Sequence, residues 1–396
     1  MRANIFFWGL LIIIITPSIY FLYIEKISYS SGAFIAALLI IIIHFIKNKE
    51  LIIDKYILIF STLIFLISTY SMIIYNWFDL QRFFLSLILL LVLIISSYFF
   101  TQFSLIVDQK KIHKYINVFF YLSLCDFIIL LIKKKFFFPN STELLFFPEV
   151  SHFSLIFLPL LTFKILTFKK EFKKYFWIII SLMMAILIEN LTLLIGTILI
   201  SFVYSIKKTL FLILLPFITI LLTIGIDNFD YFTDRIIFNE NTNNSSVLVF
   251  LSGWERAYLN FFEFGFLGIG FNQFGFEGQI GTYQNRIIDL GLPDLNLYDA
   301  GSVAPKLISE LGILGIILIF LYFFFFFRIL IKVKLMRYKF NYLDTFYISI
   351  FIMFFVNLFI RGSGYFSPIT FLFFSSIFYL RRFNFFNDYK FFKRKN

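Results

Sequence analysis

Long runs of apolar residues, separated by short polar intervals, dominate the pattern along the chain. Most runs approach the roughly 20 residues that an α-helix needs to cross the hydrocarbon core of a bilayer. Their length favours helices over strands. The pattern therefore predicts an all-α, polytopic integral membrane protein with about 12 transmembrane helices. The predicted crossings occupy residues 5–24, 31–46, 56–75, 83–100, 115–132, 153–168, 175–189, 191–206, 209–226, 306–327, 342–360 and 367–380.

Two of these runs are shorter and are joined only at Asn190. Residues 175–189 and 191–206 therefore predict either a tight pair of crossings or a re-entrant hairpin. A long polar interval later divides the chain. The predicted parts are a bundle of about nine crossings at 1–226, a large outer loop with short amphipathic helices at 227–305, about three crossings at 306–380 and a basic cytoplasmic tail at 381–396.

The long polar interval contains one amphipathic stretch, at 247–276. In a helix, its apolar and polar side chains separate onto two sides, with Arg256 in the middle of the polar side. A glycine-rich turn follows at Gly265, Gly268 and Gly270, where the backbone can approach a partner closely. We expect this segment to lie along the membrane surface and to present Arg256 to an anionic group. The alternative is a lid helix with one solvated arginine. The apolar side holds Val247, Phe250, Leu251, Trp254, Tyr258 and Phe261, and the polar side holds Ser252, Arg256, Asn260 and Glu263.

Composition and charge narrow the class of protein. A hydrophobic fraction of 60% excludes an ordinary soluble domain. The net charge of +12 is spread over short loops without an aromatic-interleaved basic face, so it indicates anionic lipid as the partner and not nucleic acid. Lysine and arginine accumulate on alternate loops, which predicts that both termini are cytoplasmic. Lys133 to Lys135 strain this topology, because they fall on the predicted outer side.

Few residues inside the apolar runs carry chemistry. Cys125 is the single cysteine, so it forms no intramolecular disulfide. Asp126 and Glu189 are the main ionisable residues within the runs, and Asp126 has no evident role in the sequence. This scarcity, with the lack of a clear internal repeat, argues against a coupled transporter.

The predicted outer face carries one arginine in each of several loops. The arginine fork matches phosphate oxygens, so a lipid pyrophosphate is the natural ligand if these side chains converge. Each arginine taken singly is more often an interfacial anchor, and convergence is not visible in the sequence. The set consists of Arg82, Arg235, Arg256, Arg286 and Arg361.

A second group lies at the start of the crossing near residue 153. Glu149 and His152 are three residues apart and share a helix face, so the carboxylate can orient a histidine that acts as general base. The alternative is a helix cap, in which Glu149 or Ser151 accepts free backbone N–H groups. No cluster has the ligand spacing of a metal site, so we expect metal-independent chemistry without a cofactor.

Three motifs in this order resemble one family. PEVSHF at 148–153 resembles a Glu-Pro-Ser-His-Phe element of the family, with Val150 in place of proline. An arginine followed by GIGFNQF at 268–274 resembles the family's arginine and Gly-x-Gly-Phe segment. LISELGILG at 307–315 resembles Leu-x-x-Glu-x-Gly-x-x-Gly, which opens the crossing after the long loop. Together they resemble the Wzy-type polymerases of O-antigen and capsule repeat units, with O-antigen ligases as relatives. Ligases have a His-Asn pair where this chain has Gly301 and Ser302, which favours a polymerase. The resemblance carries over to Glu149, Ser151, His152, Arg256, Gly268, Gly270, Phe271, Glu310 and Gly312.

The resemblance implies a multi-pass glycosyltransferase of a bacterial inner membrane. It would transfer a glycan from undecaprenyl pyrophosphate to the next lipid-linked repeat unit, with a chain-length regulator protein as a possible partner. The expected catalytic residues are Arg256, His152 and Glu149, and the expected substrate-binding residues are Arg82, Arg361, Arg286, Gly268, Gly270 and Glu310. A ligase, a flippase of lipid-linked sugars and a non-catalytic scaffold are the alternatives.

Overall fold

The computed structural model describes residues 2–24, 29–48, 55–74, 78–137, 144–204, 230–236, 242–276, 278–336 and 340–386. The predicted crossing at 209–226 and the end of the basic tail lie outside these residues. The described part of the chain is all-helical. Its helices are α1 (Arg2–Ile19, extended by a π-helical turn at Tyr20–Ile24), α2 (Tyr29–Asn48), α3 (Lys55–Ile74), α4 (Leu80–Leu105), α5 (Gln109–Phe136), α6 (Val150–Thr167), α7 (Glu171–Leu187), α8 (Leu191–Tyr204), α9 (Asp230–Ile236), α10 (Ser245–Glu263), α11 (Thr282–Asp289), α12 (Val303–Leu311), α13 (Ile313–Met336), α14 (Tyr342–Phe359) and α15 (Pro368–Arg382).

Eight of the described helical segments are long and apolar enough to cross a membrane. They are the π-extended α1, the helices α2 to α6, and α13 and α14, and each lies at a predicted crossing. Three shorter helices, α7, α8 and α15, lie at three further predicted crossings. The prediction of an α-helical membrane protein is therefore confirmed.

The two short runs form a helical hairpin. Helices α7 and α8 are separate, and they are joined by a turn in which Glu189 has a φ of 53°. Asn190 begins α8, because its side-chain oxygen accepts the N–H of Leu193 at 2.8 Å. A hydrogen bond of 2.8 Å between Ser181 and Thr197 joins the two helices. With 17 and 14 residues, they are about 25 and 21 Å long, shorter than a hydrocarbon core of about 30 Å.

Helices α6 and α14 form the centre of the bundle. In the best membrane-spanning windows, 83% of the α6 residues and 78% of the α14 residues are buried, whereas the other six candidate spans range from 22% to 50%. The outer helices therefore leave apolar side chains uncovered, as a bilayer requires. Small polar residues join α4 to α15, where the hydroxyl groups of Ser97 and Thr101 donate to the carbonyls of Phe371 and Ser375. Such contacts allow close helix packing in an apolar environment.

The predicted crossing at 306–327 is wrong at its beginning. The structure breaks this run at Gly312, which ends α12 with a φ of 53°. A Cβ atom at Gly312 would lie 2.0 Å from the carbonyl oxygen of Phe266, and the next amide, of Ile313, donates to the same oxygen at 2.8 Å. The glycine-rich turn therefore packs into the break, and Glu310 lies on the short helix before the long one.

Candidate functional site

The amphipathic helix exists, but its orientation differs from the prediction. Helix α10 spans Ser245–Glu263, close to the predicted stretch. Its polar side is the buried one, since Ser252 and Arg256 are each only 2% exposed and Asn260 is 0% exposed. The aromatic residues Tyr258 and Phe262 point outwards and are 65% and 54% exposed. The middle turns of the helix are thus inverted relative to a surface helix of a soluble protein, although Val247 on the apolar side is also buried and Glu263 on the polar side is exposed. The alternative of a solvated arginine is therefore wrong, and the position of the helix along the membrane surface stays a prediction.

Arg256 lies inside the protein. Its guanidinium carbon is 3.9 Å from the centroid of the Phe274 ring, and Nη1 donates to the carbonyl of Leu297 at 2.9 Å. Burial lowers the pKa of Arg256 to about 10, and nearby Glu310 opposes this effect, so the side chain stays charged at neutral pH. Its buried Nε has no hydrogen-bond partner within the described part of the chain.

Glu310 is a buried anchor for the glycine-rich turn. The side chain is fully buried, and its two oxygens accept the N–H groups of Asn272 at 2.9 Å and of Phe274 at 3.1 Å. Burial raises the pKa of Glu310 above its ordinary value, although Lys306, these amides and the Tyr365 hydroxyl oppose this effect. Because both oxygens accept hydrogen bonds and cations surround the group, we interpret it as ionised.

The two glycines expected to approach a substrate approach protein instead. A Cβ atom at Gly268 would lie 2.6 Å from the carbonyl oxygen of Glu310, and one at Gly270 would lie 2.4 Å from the ring of Phe78. Both residues have positive φ angles, of 82° and 100°. The amide of Gly270 also donates to the Glu310 carbonyl at 2.9 Å. Gly268, Gly270 and Glu310 therefore pack against protein and build the support of the site.

Arg82, at the start of α4, contacts the same glycine-rich turn. Its Nε donates to the carbonyl of Asn272 at 2.6 Å, and its guanidinium lies over the rings of Phe276 and Tyr298, at 3.7 and 5.4 Å. Arg82 and Arg256 both interact electrostatically with Glu310. The structure therefore brings two of the predicted arginines together around a carboxylate of the chain itself.

Glu149 forms an ion pair that the sequence did not reveal. Its Oε2 accepts Nη2 of Arg361 at 3.2 Å and the hydroxyl of Ser151 at 2.9 Å. Burial raises the pKa of Glu149, but Arg361, His152 and Ser151 together bring it below its ordinary value. Glu149 stands at the N-cap position of α6 and makes no side-chain capping bond. The alternative in which Glu149 caps this helix is therefore wrong.

His152 lies one turn further along α6. Its ring packs against Tyr29 with centroids 4.7 Å apart, and its buried Nδ1 has no partner among the residues that the structure describes. His152 interacts electrostatically with Glu149, as expected from their spacing, and also with Arg361 and Asp299. Asp299 also interacts with Arg82. This aspartate therefore connects the corner at 149–152 to the cluster around Glu310.

The backbone before Glu149 is held by Asp126, to which sequence reasoning assigned no role. Asp126 is fully buried on α5. One of its oxygens accepts the N–H of Leu145 at 2.8 Å, and the other accepts the N–H of Phe146 at 3.2 Å. These bonds fix the segment that leads into α6, so Asp126 helps to position Glu149.

A cavity of about 610 Å³ opens beside the Glu149–Arg361 pair. It lies between the start of α6, the α7–α8 turn, α9 and the first turns of α10. Its charged lining combines three cations and two carboxylates, and its apolar lining includes the start of α10. The charged residues are Lys134, Arg235, Arg361, Glu149 and Glu189.

The predicted site residues divide into three groups. Glu149 and Arg361 line the cavity, and His152 adjoins them. Arg256, Gly268, Gly270 and Glu310 are buried and form the support together with the half-buried Arg82, and none of the five is among the described lining residues. Arg286 is half-buried on α11 and is likewise not part of the described lining.

Sequence reasoning included Arg235 among the outer-face arginines but did not assign Lys134, Glu189 or Tyr231 to a site. Lys134 was visible only as part of a lysine run on the unexpected side, and Glu189 only as a carboxylate within an apolar run. Tyr231 and Arg235 lie on α9, a short helix without a strong pattern. The available signal in the sequence was that these charges disagree with the predicted topology. Within the described residues, no group of three or more metal-ligating side chains occurs.

These features define the class of the protein. The chain is an α-helical, multi-pass membrane protein with a charged cavity at one end of its helical bundle. No protein-family model, curated protein or solved structure matches it.

Proposed function

We propose that the chain is a membrane glycosyltransferase that polymerises undecaprenyl-pyrophosphate-linked oligosaccharide repeat units into O-antigen or capsular polysaccharide. The observation that carries this proposal is the cavity lined by the Glu149–Arg361 pair. It places a carboxylate and a guanidinium together at one end of the helical bundle. The three motifs described above support the same class of reaction.

In this reaction a hydroxyl of the acceptor sugar attacks the anomeric carbon of the donor glycan. The bond from this carbon to the pyrophosphate oxygen breaks, and the pyrophosphate leaves with the electron pair. Glu149 accepts the hydroxyl proton, with His152 as the neighbouring second candidate, and Arg361 stabilises the departing phosphate. The low pKa of Glu149 makes it a weak base, but pyrophosphate is a good leaving group and needs little assistance.

Arg256 has a different role from the one its motif implied. It is buried against Phe274 and Leu297, and the described cavity lining does not include it. We propose that it stabilises the turn beneath the cavity and that the phosphate contacts belong to cavity arginines. A polymerisation assay with Arg256→Lys examines this point, because a lysine keeps the charge but not the stacked fork.

The proposal includes a topology of about twelve crossings with both termini in the cytoplasm of a bacterial cell and the cavity on the outer side of the inner membrane. Labelling of single cysteines tests it. Cys125 is the single native cysteine, so a Cys125→Ser background carries one new cysteine at a time. A cysteine at position 296, in the cavity lining, should react with an impermeant reagent from outside, and one at position 382 should not.

The decisive experiment is polymerisation by purified protein and lipid-linked repeat units in proteoliposomes. Glu149→Gln and Arg361→Gln should each leave single repeats unextended, while the protein remains folded. Long polymer from both variants would refute the proposal. The alternatives give other phenotypes in a deletion strain: a ligase leaves unattached polymer, and a flippase leaves repeats on the inner face.

A further inference from the structure

A second set of polar groups lines the cavity besides the Glu149–Arg361 pair. Lys134 lies in the last turn of α5, Glu189 lies in the α7–α8 turn, and Tyr231 and Arg235 lie on α9. Together with Glu149 at the start of α6 and Arg361 after α14, five separate elements contribute charges to one cavity. We call Lys134, Tyr231 and Arg235 the second wall.

Arg235 is held in place by Tyr231 and forms no ion pair within the described part of the chain. Its guanidinium carbon lies 3.6 Å from the centroid of the Tyr231 ring, and Nη1 donates to the carbonyl of the same residue at 3.2 Å. Among the described residues, no carboxylate lies within ion-pair distance of Arg235. A guanidinium has five N–H donors in a planar fork, so most of its donors are available to a ligand in the cavity.

Tyr231 connects the two sides of the cavity. Its hydroxyl interacts electrostatically with Arg235, Arg361 and Glu189. Burial raises the pKa of Tyr231, and the two arginines oppose this effect. The phenol therefore remains protonated near neutral pH and can donate a hydrogen bond between the two arginines.

Lys134 is paired only weakly. Its Nζ is 4.0 Å from Oε2 of Glu189, and the two side chains are 21% and 45% exposed. Partly exposed pairs of this kind contribute little to stability, so the lysine can turn towards an anion. With three cations and two carboxylates, the cavity carries one net positive charge before a ligand enters.

We propose that the second wall is a phosphate subsite and that the cavity holds a diphosphate ester between Arg235 and Arg361. This inference rests on the proposed function and deepens it. A planar fork, a point charge and a phenol donor together match the oxygens of a phosphate group. The volume of about 610 Å³ falls within the range typical of ligand pockets, roughly 300–1,000 Å³.

The apolar lining indicates that the phosphate belongs to a lipid. Val247, Val249 and Phe250 on α10 line the cavity together with Leu191 and Ile195 on α8. Phe250, Leu191 and Ile195 remain partly exposed, so the first isoprene units of a lipid phosphate can pack against them, whereas a free phosphate makes no such contact. The cations then hold the head group at the level where the apolar lining ends.

Binding of inorganic pyrophosphate to the full-length protein tests the subsite directly. The protein is placed in phosphatidylcholine nanodiscs and titrated by calorimetry at low salt. Arg235→Gln should weaken binding roughly tenfold or more, as expected for loss of a charge-assisted contact, and Lys134→Gln should weaken it several-fold. Glu189→Gln should strengthen binding, because it releases Lys134. The matched control is Arg382→Gln, an exposed arginine at the far end of α15, which should bind as the wild type does.

The outcomes separate the subsite from a general charge effect. Equal affinities for Arg235→Gln and Arg382→Gln would overturn the proposal, and so would weaker binding by Glu189→Gln. If Arg235→Gln does not fold, Arg235→Lys and Tyr231→Phe replace it, and wild-type affinity in both would have the same meaning. A second arm uses undecaprenyl phosphate in the nanodiscs. Competition with pyrophosphate supports a lipid phosphate, and its failure overturns the lipid assignment.

The binding measurement involves no sugar transfer. The subsite and the proposed function can therefore be refuted separately. Normal polymerisation by the Glu149 and Arg361 variants would refute the glycosyltransferase proposal, whereas the proposal of a lipid-phosphate site would still stand. Conversely, wild-type pyrophosphate binding by Arg235→Gln, together with loss of polymer in Glu149→Gln, would remove the subsite and leave the enzyme.

Discussion

Substitution of Glu310 by glutamine is the most informative single change in the buried support of the site. The carboxylate accepts two backbone N–H groups on its two oxygens and lies near two arginines. The amide of glutamine has one acceptor oxygen, so one of the two N–H groups loses its partner. The negative charge that compensates Arg256 is lost as well.

The expected cost follows from these contacts. A buried N–H group without a partner costs about 1–3 kcal/mol, and replacement of a charged acceptor by a neutral one weakens the remaining bond by about 1 kcal/mol. The local stability of the turn should therefore fall by about 2–4 kcal/mol, before any effect of the uncompensated arginines. In the local opening equilibrium this is roughly a thirty- to several-hundred-fold change.

Hydrogen exchange of the amides at 270–276 measures this opening, because local unfolding limits the exchange of buried amides. We expect the amides of Asn272 and Phe274 to lose protection in Glu310→Gln, while the central helices α6 and α14 keep theirs. The matched control is Glu263→Gln. Glu263 is an exposed carboxylate on α10 that accepts a hydrogen bond from Gln279, and its loss should change stability by no more than about 0.5 kcal/mol.

Unchanged protection at Asn272 and Phe274 would refute the reasoning, because it would mean that the carboxylate does not hold the turn. Equal loss of protection in both variants would also refute it, since this would indicate a general response to loss of charge. A fall in protection along α6 and α14 as well would show that the turn and the bundle open as one unit.

Three further predictions follow from other contacts. Gly268→Ala should destabilise the protein by at least about 2 kcal/mol more than Gly265→Ala in thermal unfolding. Both glycines have positive φ, but only at Gly268 would an added Cβ atom lie within 4 Å of other backbone atoms. Equal unfolding midpoints of the two variants would contradict this packing. The Glu149–Arg361 pair should contribute stability that is present above the ordinary pKa of glutamate and is lost as the pH falls through the lower pKa of Glu149 in the folded protein. Infrared titration, with Glu149→Gln as the reference, should find the Glu149 carboxylate ionised below pH 4.5. Arg361→Gln should raise the pKa of Glu149. Asp126→Asn removes one of two acceptors from the segment before α6 and should lower polymer yield through a higher KM, whereas an unchanged KM would deny it a positioning role.

The length and apolarity of the runs determined the class of the protein. A run of about 20 apolar residues forms a membrane-spanning helix in most cases, so eight helices within the described residues overlap predicted crossings. The amphipathic segment around Arg256 was also predictable as a helix. Its orientation was not, because periodicity separates two faces without saying which of them meets protein and which meets lipid.

Only the tertiary structure decided which side chains form a site. Glu149 and Arg361 are more than 200 residues apart in the sequence, and their hydrogen bond depends on the packing of α6 against α14. Glu310 and the glycines likewise meet through contacts between distant segments. The local hydrophobic pattern indicates which residues tend to be buried. Which distant residue each of them contacts depends on how the helices pack. The sequence therefore determined a helical membrane protein with arginines between its crossings, and the packing placed Arg82 and Arg256 in the support, Arg235 and Arg361 in the cavity lining, and Arg286 in neither.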